Sequence, residues 1–316
     1  MKSFTQILCL LGLFATTTAG LSTSPPPTLT KVLVTGAAGR TGQLVFGALL
    51  EDSRYEAKAL VRSEKSGKKL RKVVPATGLN QVVVCDVTTL GDEPTTPAGL
   101  DGFKAMIICT SAVPKISKRS LIKAFLKVPL NVIRRKKAFD FRSLSFVFKK
   151  GQYPEKVDYE GQIAQIDLAK KLGMKHVVVV GSMGGTDSTN FLNTIGKNAD
   201  GSGNGDILLW KRKAERYLVD SGLDYTIIHP GGLTDTPPGQ EEYVIDVDDK
   251  LIVNKKRSIS RGDVADLCLA ALTVGKGKKV ALDVITRVPE EGAKVKSAEE
   301  ALTSFLKESK TYDYAL

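Results

Sequence analysis

Gly36, Gly39 and Gly42 stand in the run Thr35-Gly36-Ala37-Ala38-Gly39-Arg40-Thr41-Gly42, a G-x-x-G-x-x-G spacing suited to holding phosphate. Gly36 permits a tight turn, Gly39 lets a pyrophosphate approach the main chain, and Gly42 lets a following helix pack closely on the preceding strand. A helix starting there offers unpaired N–H groups and the positive end of its dipole, and Thr41 lies at its first turn. Two cations flank the loop, Arg40 within it and Arg62 at the end of the next apolar run. An acid at the second position would take the ribose hydroxyls of NAD; a guanidinium there matches a 2′-phosphate instead. The expected ligand is therefore NADP(H).

Such a loop works only between a strand and a helix. Residues 31–34 (KVLV) read as a strand, and 43–50 carry Leu44, Val45, Leu49 and Leu50 at helical spacing. Further strands are expected at 56–61, 81–85, 105–109, 176–180, 225–228 and 280–285. Helical stretches at 157–172, 206–221, 262–274 and 297–308 alternate with them. The alternation predicts an α/β fold, a doubly wound parallel sheet of the Rossmann type, forming a single domain over 29–316 with a small C-terminal substrate lobe. Strand ends on one side of such a sheet line the ligand crevice. Here they carry Asp86 and Val87, Thr110 and Ser111, Ser182, and Pro230. A carboxylate at Asp86 is placed to accept from an adenine amino group.

The net charge of +12 belongs to one segment. Residues 115–150 hold twelve Lys and Arg against Asp140 alone, about +11, and the remainder is close to neutral. Within this insertion 117–126 could form a basic amphipathic helix over the mouth of the site, as a lid or as a contact for an acidic protein or an anionic membrane. Nucleic acid is not an expected partner, because no recognition motif accompanies the charge. Cys9, Cys85, Cys109 and Cys268 form no C-x-x-C pair, and His176 and His229 are isolated. Free thiols are expected, and no metal site.

Residues 1–28 read as an address. Lys2, the apolar run 7–15 and small residues at 16–20 have the layout of a signal peptide. A stretch rich in hydroxyl groups and proline follows. This bipartite layout predicts import into a plastid, with the secretory pathway as the alternative.

The runs TGAAGRTG, LVRS, TSAVPK, GQYPEKVDYEGQ, KHVVVVGSMGG, LWKRKAERYL and PGGL occur in that order. Together they resemble the atypical short-chain dehydrogenase/reductases of plants and algae, with NAD(P)-binding, NmrA-like domains. The resemblance implies that Gly36, Gly39, Arg40, Thr41, Gly42 and Arg62 hold the phosphates, that Asp86 and Val87 meet adenine, and that Thr110 and Ser111 line the ribose path. It further implies that Ser182 and Lys211 face the nicotinamide half. Working members pair a Tyr with a Lys four residues later and an upstream Ser; here Lys211 and Ser182 fit, but Ile207 replaces the Tyr. Asp167 stands where such members carry Asn, and with Tyr153, Tyr159 and Tyr217 it is a substitute proton donor to be tested. Two functions follow as expectations: an NADP-dependent oxidoreductase acting on a small molecule, or a non-catalytic NADP(H)-dependent sensor or assembly factor.

Overall fold

Runs of Val, Ile and Leu flanked by amphipathic helices can bury both faces of a strand, and the sheet is built from such runs. The computed structural model describes residues 29–90, 97–122, 125–126, 145–198 and 200–315. The strands are β1 (Thr30–Thr35), β2 (Tyr55–Val61), β3 (Val82–Val84), β4 (Ala105–Ile108), β5 (Lys115–Ile116), β6 (Phe146–Val147), β7 (His176–Val180), β8 (Asp224–Pro230), β9 (Gly232–Thr234), β10 (Glu242–Asp246), β11 (Ser258–Ser260) and β12 (Lys279–Arg287). The helices are α1 (Gly42–Glu51), α2 (Glu64–Val73), α3 (Gly161–Lys171), α4 (Ile207–Asp220), α5 (Arg261–Thr273) and α6 (Ala298–Lys307).

Eight strands form one sheet in the order β10-β12-β8-β7-β4-β1-β2-β3, parallel except for β10, which runs antiparallel to β12. β1 pairs with β2 on one side and β4 on the other, so the winding reverses at β1. Side chains alternate between two cores. Val32 and Val34 join Phe46 and Leu49 of α1 with residues of α5 and α6. Leu33 joins Met106, Ile108, Val177 and Val179 against Ile166 of α3 and Leu218 of α4. Phe46 and Leu49 are fully buried, each contributing about 1.5–3 kcal/mol.

The expected fold class is found, with two additions. The short strands β9 and β11 pair parallel beside the main sheet, and β10 closes its edge. These lie where a substrate lobe was expected. The leader lies outside the described residues, as do 123–124 and 127–144 of the basic insertion. The described base of that insertion is an antiparallel pair, Lys115 opposite Val147 and Ile116 opposite Phe146, with 118–122 helical. Among the described residues no helix is long and apolar enough to cross a membrane.

Candidate functional site

The reversal at β1 opens a crevice beyond the ends of β1 and β4, the usual ligand position in a doubly wound sheet. The loop from β1 to α1 fills its edge. Gly36 has a positive φ of +65°. A Cβ on it would lie 2.7 Å from the Cys109 carbonyl carbon and 2.8 Å from the Thr110 nitrogen. A Cβ on Gly42 would collide with the Gly36 carbonyl oxygen, and Gly39 donates to that oxygen at 2.8 Å. Gly36 and Gly42 are thus fixed by close backbone packing, while Gly39 stays exposed. Ser63, Ser260 and Ser297 cap α2, α5 and α6 with their hydroxyls, but no side chain caps α1 at Thr41. The Gln43 and Leu44 N–H groups bond back to the Gly39 and Thr41 carbonyls at 3.0 and 2.9 Å, no side chain competes at the α1 start, and the glycine loop with its exposed Gly39 fits a dinucleotide pyrophosphate.

Both predicted cations are exposed at this edge. Arg40 is paired with Asp235, which also takes Arg261 at 2.8 Å, so the glycine loop is tied to the segment after β9. Arg62 donates from Nη1 to Gln152 Oε1 at 2.6 Å. Gln152 in turn donates from Nε2 to Asp86 Oδ2 at 3.2 Å. The other Asp86 oxygen accepts from the Thr88 backbone N–H at 3.1 Å and its hydroxyl at 2.9 Å. Val87 is buried beneath the first residue of α3, where a Cβ on Gly161 would approach its Cγ2 to 3.2 Å. Thr110 Oγ1 accepts from Gln165 Nε2 at 3.1 Å, and Ser111 is exposed at the crevice.

The side of the crevice where nicotinamide is expected is organised by a residue that local sequence does not mark, Asp158. Glu155–Glu160 forms a π-helical turn ahead of α3, and the Gly161 N–H reaches back to the Lys156 carbonyl. The wide turn delivers Asp158, completely buried, to Lys211. Lys211 Nζ lies 2.8 Å from Asp158 Oδ1, and Asp158 Oδ2 accepts from the Ala112 N–H at 3.0 Å. Lys211 is therefore a buried, paired cation. Cys109 lies within its field: burial pushes that thiol up to about 12, and Lys211 opposes the rise. Ser182 is half-buried after β7 and donates to the Met183 carbonyl at 3.3 Å. Ile207 opens α4 one turn before Lys211. Pro230 ends β8, and its carbonyl accepts from the Met183 N–H at 3.1 Å.

Asp167 does not reach the crevice, contrary to expectation. It is exposed on α3 and accepts from the Tyr217 hydroxyl at 2.7 Å, bridging α3 and α4 on their solvent side. Gln165, buried, is the α3 residue that reaches the crevice. Asp167 and Tyr217 are thereby removed as proton donors. Tyr159 stacks on Trp210 with ring centroids 5.4 Å apart.

His229, isolated in the sequence, is buried between two acids. Its Nε2 is 3.1 Å from Glu215 Oε2 and its Nδ1 is 3.2 Å from Asp283 Oδ1. Asp283 Oδ2 accepts from the Asp249 N–H at 2.6 Å, and Asp249 accepts from the backbones of Gly184 and Thr186 at 2.5 and 2.8 Å. The chain of contacts fixes the loop that follows Ser182. Tyr312 stacks on His229 at 4.8 Å, and Arg212 covers Tyr312 and Tyr314. Burial alone would lower the imidazole, but Glu215 and Asp283 together raise it from 6.5 to about 10. A raised imidazole stabilises the fold fully below its unfolded value, and that contribution is lost as pH climbs through the folded value. Stability in chemical denaturation should therefore fall between pH 6.5 and about 10, and His229→Gln should flatten that slope. A wild-type curve with no such slope would remove the imidazolium from the account.

Comparison with known proteins agrees with this fold. Residues 36–274 match the family model for NAD(P)H-binding domains. Sanguinarine reductase of Eschscholzia californica is 40% identical over 87% of this chain and 93% of its own length. An uncharacterised chloroplastic protein of Arabidopsis thaliana is 38% identical over 91% of this chain and 78% of its own length. An oxidoreductase of Lactococcus lactis superposes with a TM-score of 0.54 at 22% identity, covering 88% of this chain and 97% of that one, which reflects the shared fold.

Proposed function

The chain belongs to the NAD(P)H-binding family, and from that premise we propose that it is an NADP(H)-dependent oxidoreductase of the atypical short-chain type. The observation that carries the choice of NADP(H) is Arg62, exposed at the end of β2 with, among the described residues, the neutral Gln152 on its guanidinium. When bound, the nicotinamide supplies or accepts a hydride. This chain's own residues do the rest. Gly39 and the uncapped start of α1 take the pyrophosphate, Arg62 and Arg40 the 2′-phosphate, and Asp86 the adenine. Ser182 Oγ is the hydroxyl placed to hold a substrate oxygen. Lys211, paired with Asp158, supports the wall beside Thr110 and Ser111 from within. The substrate is a small molecule. The sanguinarine reductase likeness supports reduction as the direction, and the chloroplastic relative supports import into a plastid through residues 1–28.

Titration of the chain with NADPH and NADH, followed by nicotinamide fluorescence, tests the cofactor reading. NADPH should bind at least about tenfold more tightly, and Arg62→Ala should weaken NADPH by about ten- to a hundredfold while changing NADH little, as expected for loss of a charge-assisted contact. Arg40→Ala should act in the same direction but less, since Asp235 already occupies that guanidinium. Absence of binding by either cofactor would end the proposal.

A second reading is favoured by Ile207 and by the engagement of Lys211 with Asp158: a cofactor-dependent sensor or assembly factor that uses 115–150 to meet a protein or an anionic membrane. Turnover of NADPH with small carbonyl compounds supports the enzyme. Partner binding that follows the NADPH/NADP ratio, without turnover, supports the sensor.

A further inference from the structure

Gln152 sits between the two groups that the adenosine end of the cofactor must meet. Its side chain arrives from a tight turn after the basic insertion, closed by the Gln152 N–H to the Lys149 carbonyl at 2.8 Å. It therefore comes from a part of the chain remote from β2 and β3. Its amide is used at both ends. Oε1 accepts from Arg62 Nη1 at 2.6 Å. Nε2 donates to Asp86 Oδ2 at 3.2 Å and lies 3.5 Å from Thr88 Oγ1.

The chemistry of that bridge is directional. A guanidinium presents five N–H donors in a rigid fork, and the one contact found among the described residues, at Nη1, leaves Nη2 and Nε for phosphate oxygens. An acceptor at Nη1 therefore orients the fork without occupying it. Because the acceptor is neutral, it adds no negative charge to the place where a 2′-phosphate would arrive. The far end of the amide is held by Asp86, itself fixed by the Thr88 backbone, so the acceptor is not free to swing away.

We propose that Gln152 is a specificity-positioning residue of the cofactor site, which sets Arg62 for a 2′-phosphate and so couples recognition of NADP(H) to the segment that follows the basic insertion. This rests on the cofactor reading above. Removing the side chain leaves Arg62 as one free rotor on an exposed surface, so the 2′-phosphate must order it on binding. Replacing the amide by a carboxylate keeps the shape but sets an anion against both Arg62 and the incoming phosphate.

The test uses the full chain and two fragments of the cofactor, 2′,5′-ADP and 5′-AMP, which differ only in the 2′-phosphate, with NADPH and NADH alongside. Wild type should prefer 2′,5′-ADP. Gln152→Ala should narrow that preference by about three- to tenfold, and Gln152→Glu by about tenfold or more, with 5′-AMP affinity changed less than about threefold in Gln152→Ala. Thermal unfolding midpoints of both variants should stay close to wild type, since the turn is at the surface. Unchanged preference in both variants, with wild type binding 2′,5′-ADP and Arg62→Ala abolishing the preference, overturns the role of Gln152 and leaves the cofactor reading standing. An equal loss of both fragments in both variants also overturns it, because that is the signature of a merely structural turn. Failure of wild type to bind any of the four ligands overturns the cofactor reading and this proposal together.

Discussion

Asp158→Ala should destabilise the chain by about 3–5 kcal/mol, the range for removing one partner of a buried ion pair. The carboxylate is completely buried and serves two groups, the Lys211 ammonium at 2.8 Å and the Ala112 N–H at 3.0 Å. Its loss leaves a charge and a backbone donor facing an apolar interior, where each costs free energy. Lys211→Met alone should also destabilise, since it strands the carboxylate. The double variant Asp158→Leu/Lys211→Met should recover the part of the loss due to the unpaired charge, because an apolar pair can replace a buried ion pair, but not the part due to the Ala112 N–H, which still lacks its acceptor. Urea denaturation of the three variants gives the coupling directly. A loss of under about 1 kcal/mol for Asp158→Ala would falsify the buried pair. Because Ala112 follows Thr110 and Ser111, the same variant should also loosen the crevice wall, seen as weaker NADPH binding even where the protein stays folded.

The second large effect is expected from Gly36→Ala. One methyl group has two problems there. The backbone at φ +65° is left-handed, which costs an L residue about 1–2 kcal/mol. The added carbon would also lie 2.7 Å from both the carbon and the oxygen of the Cys109 carbonyl. Those atoms belong to main chain at the end of β4 and cannot rotate aside, so β1 and β4 would have to part at the crevice. Loss of about 3 kcal/mol or more, and of measurable NADPH binding, is the expected result. Gly222→Ala separates the two causes. That glycine also has positive φ, at +85°, but its Cβ would meet nothing within 4 Å, so only the conformational cost of about 1 kcal/mol should appear. Equal losses at the two positions would mean that the contact with Cys109 is not tight.

Features set by neighbouring residues were legible in the sequence. The glycine loop, the apolar runs of β1, β4 and β7 and the helices around Lys211 are each carried by local spacing, and the fold follows from their alternation. Arg62 was legible as an exposed cation at the end of β2, because its position depends only on that strand. Contacts closed across the chain were not. Asp158 is an acid among several in 155–160, and only the π-helical turn that precedes α3 directs it inward. Helical residues two positions apart point about 200° from one another, so with Gln165 facing the crevice Asp167 faces solvent, and assigning it by resemblance alone put it on the wrong side. His229 gains its two acids from α4 and β12, which no local pattern announces. Gln152 likewise gains its meaning from Arg62 and Asp86, both far from it in sequence.

During synthesis β1 and its glycine loop leave the ribosome well before β4. Until β4 is made, Gly36 lacks the Cys109–Thr110 backbone against which it packs, and the phosphate loop has a wall on the β2 side only. A dinucleotide stabilises only a state able to bind it. NADP(H) in the surrounding medium therefore cannot rescue an early truncated chain, and begins to favour the native form once β4 has docked against β1. A nascent chain halted before β4 should thus be as protease-sensitive with the cofactor as without it, whereas one halted beyond β12 should be protected.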